Sequence, residues 1–139
     1  GDEIVISWEP DKGINQANCI KCYFDIRDQL NEQKEVLFRE FGFEIGFKAG
    51  IHFGETTIGE IGALKKEIVF TGDVLNTTAR IQSLCKELKS DLLISGAVKE
   101  LLPDSSYQYS SKGEIELKGR NKKEELFSVR LEKNPTIAV

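Results

Sequence analysis

Asn76 and Arg80 stand four residues apart, just after a Gly72-Asp73 pair. On a helix that spacing puts both side chains on one face. Arginine offers a planar fork suited to phosphate, and asparagine adds a neutral donor and acceptor. Such a pair is more often a solvated helix face. A position one turn after a strand–Gly–Asp junction favours a ligand, because junctions of that kind hold ligands at their open ends. Lys118 opens the basic run Lys118-Gly119-Arg120-Asn121-Lys122-Lys123. It reads either as a charged hairpin tip or as a triphosphate contact, with Gly119 letting the backbone come close. Asp2, directly after Gly1, is either a turn residue or a carboxylate exposed at a strand end for a hard cation such as magnesium. His52 is the only histidine. No cysteine is placed to join it as a ligand, so a structural role is expected. Cys19 and Cys22 fall inside a helical stretch without a second pair, which reads as packing rather than zinc or redox chemistry.

The elements that must position these residues follow from periodicity. Glu3 to Glu9 is a β-rich run that stops at the turn signal Pro10-Asp11-Lys12-Gly13. Ala17, Ile20, Phe24, Ile26 and Leu30 recur at helical steps, predicting one long amphipathic helix from Ile14 to about Glu40, bent near Asn31 and ended by Gly42. Phe43, Ile45, Phe47, Ala49, Ile51 and Phe53 alternate with Glu44, Gly46, Lys48, Gly50 and His52. That is a strand with one face on a core, whose other face carries two glycines and invites another backbone. Gly54, Gly59 and Gly62 mark turns or bulges, and Glu67 to Thr71 is a short strand. A helix runs from Val74 with Leu75, Ala79, Ile81, Leu84 and Leu88 as its apolar positions. Leu92-Leu93-Ile94 is a strand, Gly96 to Leu102 a short helix, and Tyr107 to Lys118 with Glu125 to Leu131 a closing hairpin. The order predicts an α+β sandwich with a mainly antiparallel sheet and helices packed on it.

The 139 residues carry 19 Lys+Arg against 23 Asp+Glu, a net charge of −4. One domain of this size buries roughly two-thirds of its unfolded surface. The mild acidity argues against a nucleic-acid surface, and no apolar run is long enough to cross a bilayer. Three cysteines are an odd number in a chain with a sizeable core, so the expected setting is reducing and cytoplasmic. Gly1 opens straight into a strand-like run, as though in mid-domain. The residues alone give an acidic α+β domain with a candidate metal-and-phosphate site.

Three segments together resemble the catalytic domain of class III nucleotidyl cyclases. They are Phe47-Lys48-Ala49-Gly50-Ile51-His52-Phe53-Gly54-Glu55, then Gly59-Glu60-Ile61-Gly62, then Gly72-Asp73-Val74-Leu75-Asn76-Thr77-Thr78-Ala79-Arg80. The closing Glu116-Leu117-Lys118-Gly119 with Phe127-Ser128-Val129, and the opening Gly1-Asp2-Glu3, resemble the family's ending and its second metal-binding hairpin. The resemblance implies a ferredoxin-like, palm-type fold. It also implies conversion of a nucleoside triphosphate to its 3′,5′-cyclic monophosphate and pyrophosphate, with two magnesium or manganese ions per site. By the same resemblance Asp2 is a metal ligand, Asn76 orients the ribose and Arg80 stabilises charge on the α-phosphate. Lys118 holds the terminal phosphates, and Val69 and Asp73 lie on the substrate side. The site is implied to be shared across a head-to-tail homodimer.

The family's first metal aspartate and its main base-reading residue have no counterpart here. Residues 1–139 are therefore expected to be a single catalytic domain lacking its N-terminal strand and helices, and inactive alone. Val69 stands where the family reads the base and cannot hydrogen-bond one. ATP is favoured because the guanine-type residue is absent. No direct membrane contact is expected from this segment, although a membrane or sensor protein would accommodate such a domain. The alternatives are a catalytically silent dimerisation or regulatory module, and a diguanylate cyclase, for which Gly1-Asp2-Glu3 fits the signature tail.

Overall fold

A computed structural model of the chain describes residues 3–54, 57–61, 67–71, 73–102, 107–116 and 123–131. Its helices are α1 (Pro10–Ile14), α2 (Asn18–Glu32), α3 (Lys34–Phe41), α4 (Asp73–Ser83) and α5 (Gly96–Leu101). Its strands are β1 (Ala49–Ile51), β2 (Thr57–Ile61), β3 (Glu67–Thr71), β4 (Leu92–Ser95), β5 (Tyr107–Glu116) and β6 (Lys123–Leu131). Four strands form one sheet in the order β1-β4-β6-β5, and β2 pairs with β3 separately. In the larger sheet β1 runs parallel to β4, while β4–β6 and β6–β5 are antiparallel. The α+β class and the mainly antiparallel sheet read from the sequence both hold.

Strand alternation splits the core between the two faces of the sheet. Leu92, Ile94 and Val129 join Ile20, Tyr23 and Phe24 of α2 on one face. Leu93 and Leu126 join Ile81 of α4 and Cys85 on the other. Along β5, Tyr107 and Tyr109 pack on the α2 side but Ile115 packs on the α4 side. Odd-numbered residues share one face of a regular strand, so something must reverse the parity. The ladder shifts between Ser111 and Gly113, with Gly113 at φ +97, and this bulge turns Ile115 over.

Several sequence expectations need correction. Glu3 to Glu9 is not a strand, and Ile4 is 85% exposed. β-rich composition makes a strand only where a neighbouring strand takes its N–H and C=O groups, and no pairing to these residues occurs among those described. Pro10 to Gly13 is not a free turn but the start of α1, with Pro10 at a helix-initiating position and the amides of Lys12 and Gly13 donating to the Glu9 carbonyl. The long helix starts at Asn18 rather than Ile14, after a 3-10 turn over Asn15–Ala17, and breaks at Gln33, close to the bend expected near Asn31; Gly42 ends its second part at φ +76, as expected. The strand expected over residues 43–53 is regular only from Ala49 to Ile51. Its partner β4 begins at Leu92, which pairs with Ala49, so the ladder has nothing to extend along before that point. Gly59 lies within β2 rather than at a turn, and α4 ends at Ser83, with turns carrying the chain past Leu84 and Leu88.

Candidate functional site

α4 begins at Asp73, one residue before the helix start expected at Val74. Asn76 and Arg80 are both exposed on it, one turn apart. The helix rests on β1 through a glycine contact. A Cβ built on Gly50 would stand 2.7 Å from the Gln82 backbone nitrogen and 3.0 Å from the Thr78 carbonyl oxygen. The expectation that the glycine face of this strand admits another backbone is met at Gly50; at Gly46 nothing lies within 4 Å. Within α4, the Thr78 hydroxyl donates to the Val74 carbonyl at 2.6 Å and the Ser83 hydroxyl to that of Arg80 at 2.6 Å.

The Arg80 guanidinium donates from Nη1 to the Glu116 carbonyl, the last residue of β5. This contact spans 36 residues of sequence and brings the α4 face to the end of β5. Lys118 is two residues further along the chain. Lys118 and Asp2 lie outside the described residues. Val69 is placed by its backbone opposite Gly59 in the β2–β3 ladder, and Asp73 by its place at the head of α4. Among the described residues no three His, Cys, Asp or Glu come together so as to hold a metal ion. The metal reading therefore rests on Asp2.

A second polar group, which sequence reasoning missed, lies at the ends of the parallel strands. His52 Nδ1 is 2.8 Å from the hydroxyl of Ser95, the fully buried residue that caps α5. Glu124 on β6 accepts from the Ala97 amide at 2.9 Å. Burial pushes the His52 pKa below its ordinary value, and the nearby Glu124 charge partly opposes that. Ser95 before a helical run was a readable cap signal; its meeting with His52, 43 residues away, was not. Burial raises the pKa of the Cys19 and Cys85 thiols, and Cys85 donates to the Ala49 carbonyl at 3.4 Å. Both are thiols engaged in packing, as the sequence suggested for the first.

A cleft of about 450 Å³ lies on the α2 side, lined by Tyr23, Arg27, Lys34, Phe47, Lys48 and Asp91 among others. Neither Asn76 nor Arg80 lines it, and its Lys48 and Asp91 already bond each other at 2.9 Å. Among the described residues no helix is long and apolar enough to cross a membrane.

Residues 8–130 match the family described as adenylate and guanylate cyclase catalytic domain. Adenylate cyclase 2 of Rhizobium meliloti (strain 1021) is 35% identical over 130 residues, which cover 93% of this chain and 36% of that protein. Photoactivated adenylate cyclase subunit beta of Euglena gracilis is 38% identical over 76 residues, 54% of this chain and 9% of that protein. The chain thus spans little more than a third of the first relative and a small part of the second. A solved bacterial light-regulated adenylyl cyclase aligns over 60% of this chain and 24% of its own, with 21% identity and a TM-score of 0.48, too loose a likeness to bear on the site.

Proposed function

The chain belongs to the adenylate and guanylate cyclase catalytic domain family, and we propose that the protein as the cell makes it cyclises a nucleoside triphosphate, with ATP preferred, in a site shared by two copies. The observation that carries this reading is the meeting of α4 with the end of β5. Arg80 lies one helical turn from Asn76 and bonds the Glu116 carbonyl, two residues before Lys118.

In the reaction the ribose 3′-oxygen attacks the α-phosphorus and loses its proton, while the bond from that phosphorus to the bridging oxygen of pyrophosphate breaks. Charge builds on the α-phosphate oxygens and on the leaving group, so positioned cations matter more than a covalent nucleophile. Arg80 supplies a fork of donors to that charge, Asn76 holds the ribose, and Lys118 holds the departing phosphates. Val69 presents no hydrogen-bonding group to a base, and the names carried by both relatives agree with ATP. Asp2 is the residue assigned to magnesium or manganese, ions that neutralise phosphate charge when bound. A cytoplasmic setting, where ATP is plentiful, belongs to the same reading.

Complementation between copies tests it. In the protein as the cell makes it, Asp2→Ala and Arg80→Ala homodimers should each be nearly inactive. Mixed and allowed to exchange, about half the dimers carry one copy of each, and each has one intact site of two. Up to about a quarter of wild-type cyclic AMP production should then return. A mixture that exchanges subunits yet stays inactive overturns the shared site.

A further inference from the structure

Gly50, His52 and Gly54 follow one another at alternate positions through the end of β1. Gly50 lies against the α4 backbone, and a Cβ on Gly54 would stand 2.9 Å from Cγ2 of Val74, in the first turn of α4. The two glycines thus let the helix sit directly on the strand. His52, between them, turns instead to β4 and bonds Ser95. We propose that His52 is a positioning residue: by tying the end of β1 to Ser95, it fixes the platform on which α4 presents Asn76 and Arg80. The inference rests on the reading of that α4 face as catalytic.

The tie changes character with the charge on the ring. Ser95 Oγ accepts from the Val98 amide at 3.4 Å and keeps both a hydrogen and a second lone pair, so its bond to His52 Nδ1 runs in the direction the ring tautomer sets. In the neutral tautomer with its proton on Nε2, Nδ1 accepts the Ser95 hydrogen. In that tautomer, a proton gained on Nδ1 turns it into a donor, and the Ser95 hydrogen has to find another acceptor at a residue that is 0% exposed. A buried hydroxyl left unpaired is costly, so the cationic ring loosens the tie. Among the described residues, the charged group acting on His52 is Glu124 of β6, whose Oε1 is engaged by the Ala97 amide.

Since His52 is the only histidine in the chain, its ring gives a single imidazole titration by NMR. In the full 139-residue chain, its midpoint should fall below 6.5, and the backbone amides of Val74, Asn76 and Arg80 should shift with that same midpoint. His52→Asn places an acceptor near the Nδ1 position and does not titrate, so these amides should then be flat with pH. Amides of α4 that ignore the ring titration, or that titrate unchanged in His52→Asn, overturn the proposal. In the protein as the cell makes it, His52→Ala should lower kcat about tenfold with KM little changed, and His52→Asn should recover most of it. An unchanged kcat in His52→Ala overturns the positioning role. A wild-type protein that makes no cyclic nucleotide overturns the proposed function instead, and the NMR titration still decides whether His52 governs α4.

Discussion

The two faces of the sheet are held in different ways. On the α2 face the contact is filled with large side chains. Tyr23 meets Phe24 and Phe47 with ring centroids 5.1 and 5.0 Å apart, and Phe24 stacks on Tyr107 at 5.5 Å. On the α4 face the buried set is smaller, Ile81, Cys85, Leu93 and Leu126, and the helix comes close because Gly50 has no side chain. The first face supplies apolar burial; the second supplies placement. The residues proposed to act on substrate ride on the second, so stability and site geometry can be perturbed separately.

The largest effect should come from the filled face. Phe24→Ala removes a buried ring and leaves a cavity between α2 and Tyr107, which costs about 3–5 kcal/mol. Ile81→Val on the α4 face deletes one methylene and costs about 1 kcal/mol. Urea denaturation of both variants measures the contrast. Equal losses would erase the distinction between the faces.

Gly50→Ala should come next. Its methyl would press on the α4 backbone at Gln82, which cannot move aside as a flexible side chain can. Overpacking of this kind costs about 2 kcal/mol. Because the helix must lift, cyclase activity of the protein as the cell makes it should fall further than the stability loss alone accounts for. Gly46→Ala is the matched control: nothing lies within 4 Å, so it should be neutral or stabilise by about 0.5 kcal/mol. A harmless Gly50→Ala would show that the close approach is not what places α4.

How much of this was legible follows from the range of each interaction. β4, α5 and the β5–β6 pair were readable because apolar runs and turn residues lie within a few positions of one another. The approach of α4 to Gly50 was readable as a possibility, since a glycine on an alternating strand leaves a gap for some backbone. The Asn76–Arg80 pairing needs only helical spacing, whereas the bond from Arg80 to Glu116 joins residues 36 apart. The Glu3–Glu9 run shows the opposite failure, because its residue types suit a strand and a strand still requires a partner. The bulge at Gly113, which sends Ile115 to the other face, leaves only a glycine inside an otherwise ordinary strand pattern.

A smaller effect separates the faces by pH. His52 belongs to the α4 side, and its pKa in the folded chain is depressed by burial. The unfolded chain therefore binds the proton more readily, and the contribution of His52 to stability is complete above about 6.5. It is lost as pH falls from there through the folded value, and it levels off below that. Denaturation midpoints of wild type and His52→Asn, compared across this range, should diverge with acidification because the variant lacks this contribution. Parallel curves would mean that the ring titrates alike in both states.

The smallest effect should come from the other end of the same pair of strands. β1 and β4 are tied at one end by the buried His52–Ser95 bond, and at the other by Lys48 and Asp91 at 2.9 Å. The distances are nearly equal, but the Lys48 and Asp91 side chains are 42% and 70% exposed, whereas Ser95 is fully buried. Water and salt already solvate both members of the exposed pair, and ordering two flexible side chains offsets most of the attraction. Lys48→Met should therefore cost no more than about 0.5 kcal/mol, and added salt should erase the difference from wild type. Ser95→Ala removes a helix cap as well as the partner of His52, and should cost about 1–2 kcal/mol whatever the ionic strength. A double-mutant cycle on Lys48 and Asp91, run at low and high salt, isolates the exposed bond from the packing of the lysine stem. A coupling as large as the Ser95 effect, and insensitive to salt, would place the anchor of the β1–β4 pair at the wrong end and leave His52 with little to hold.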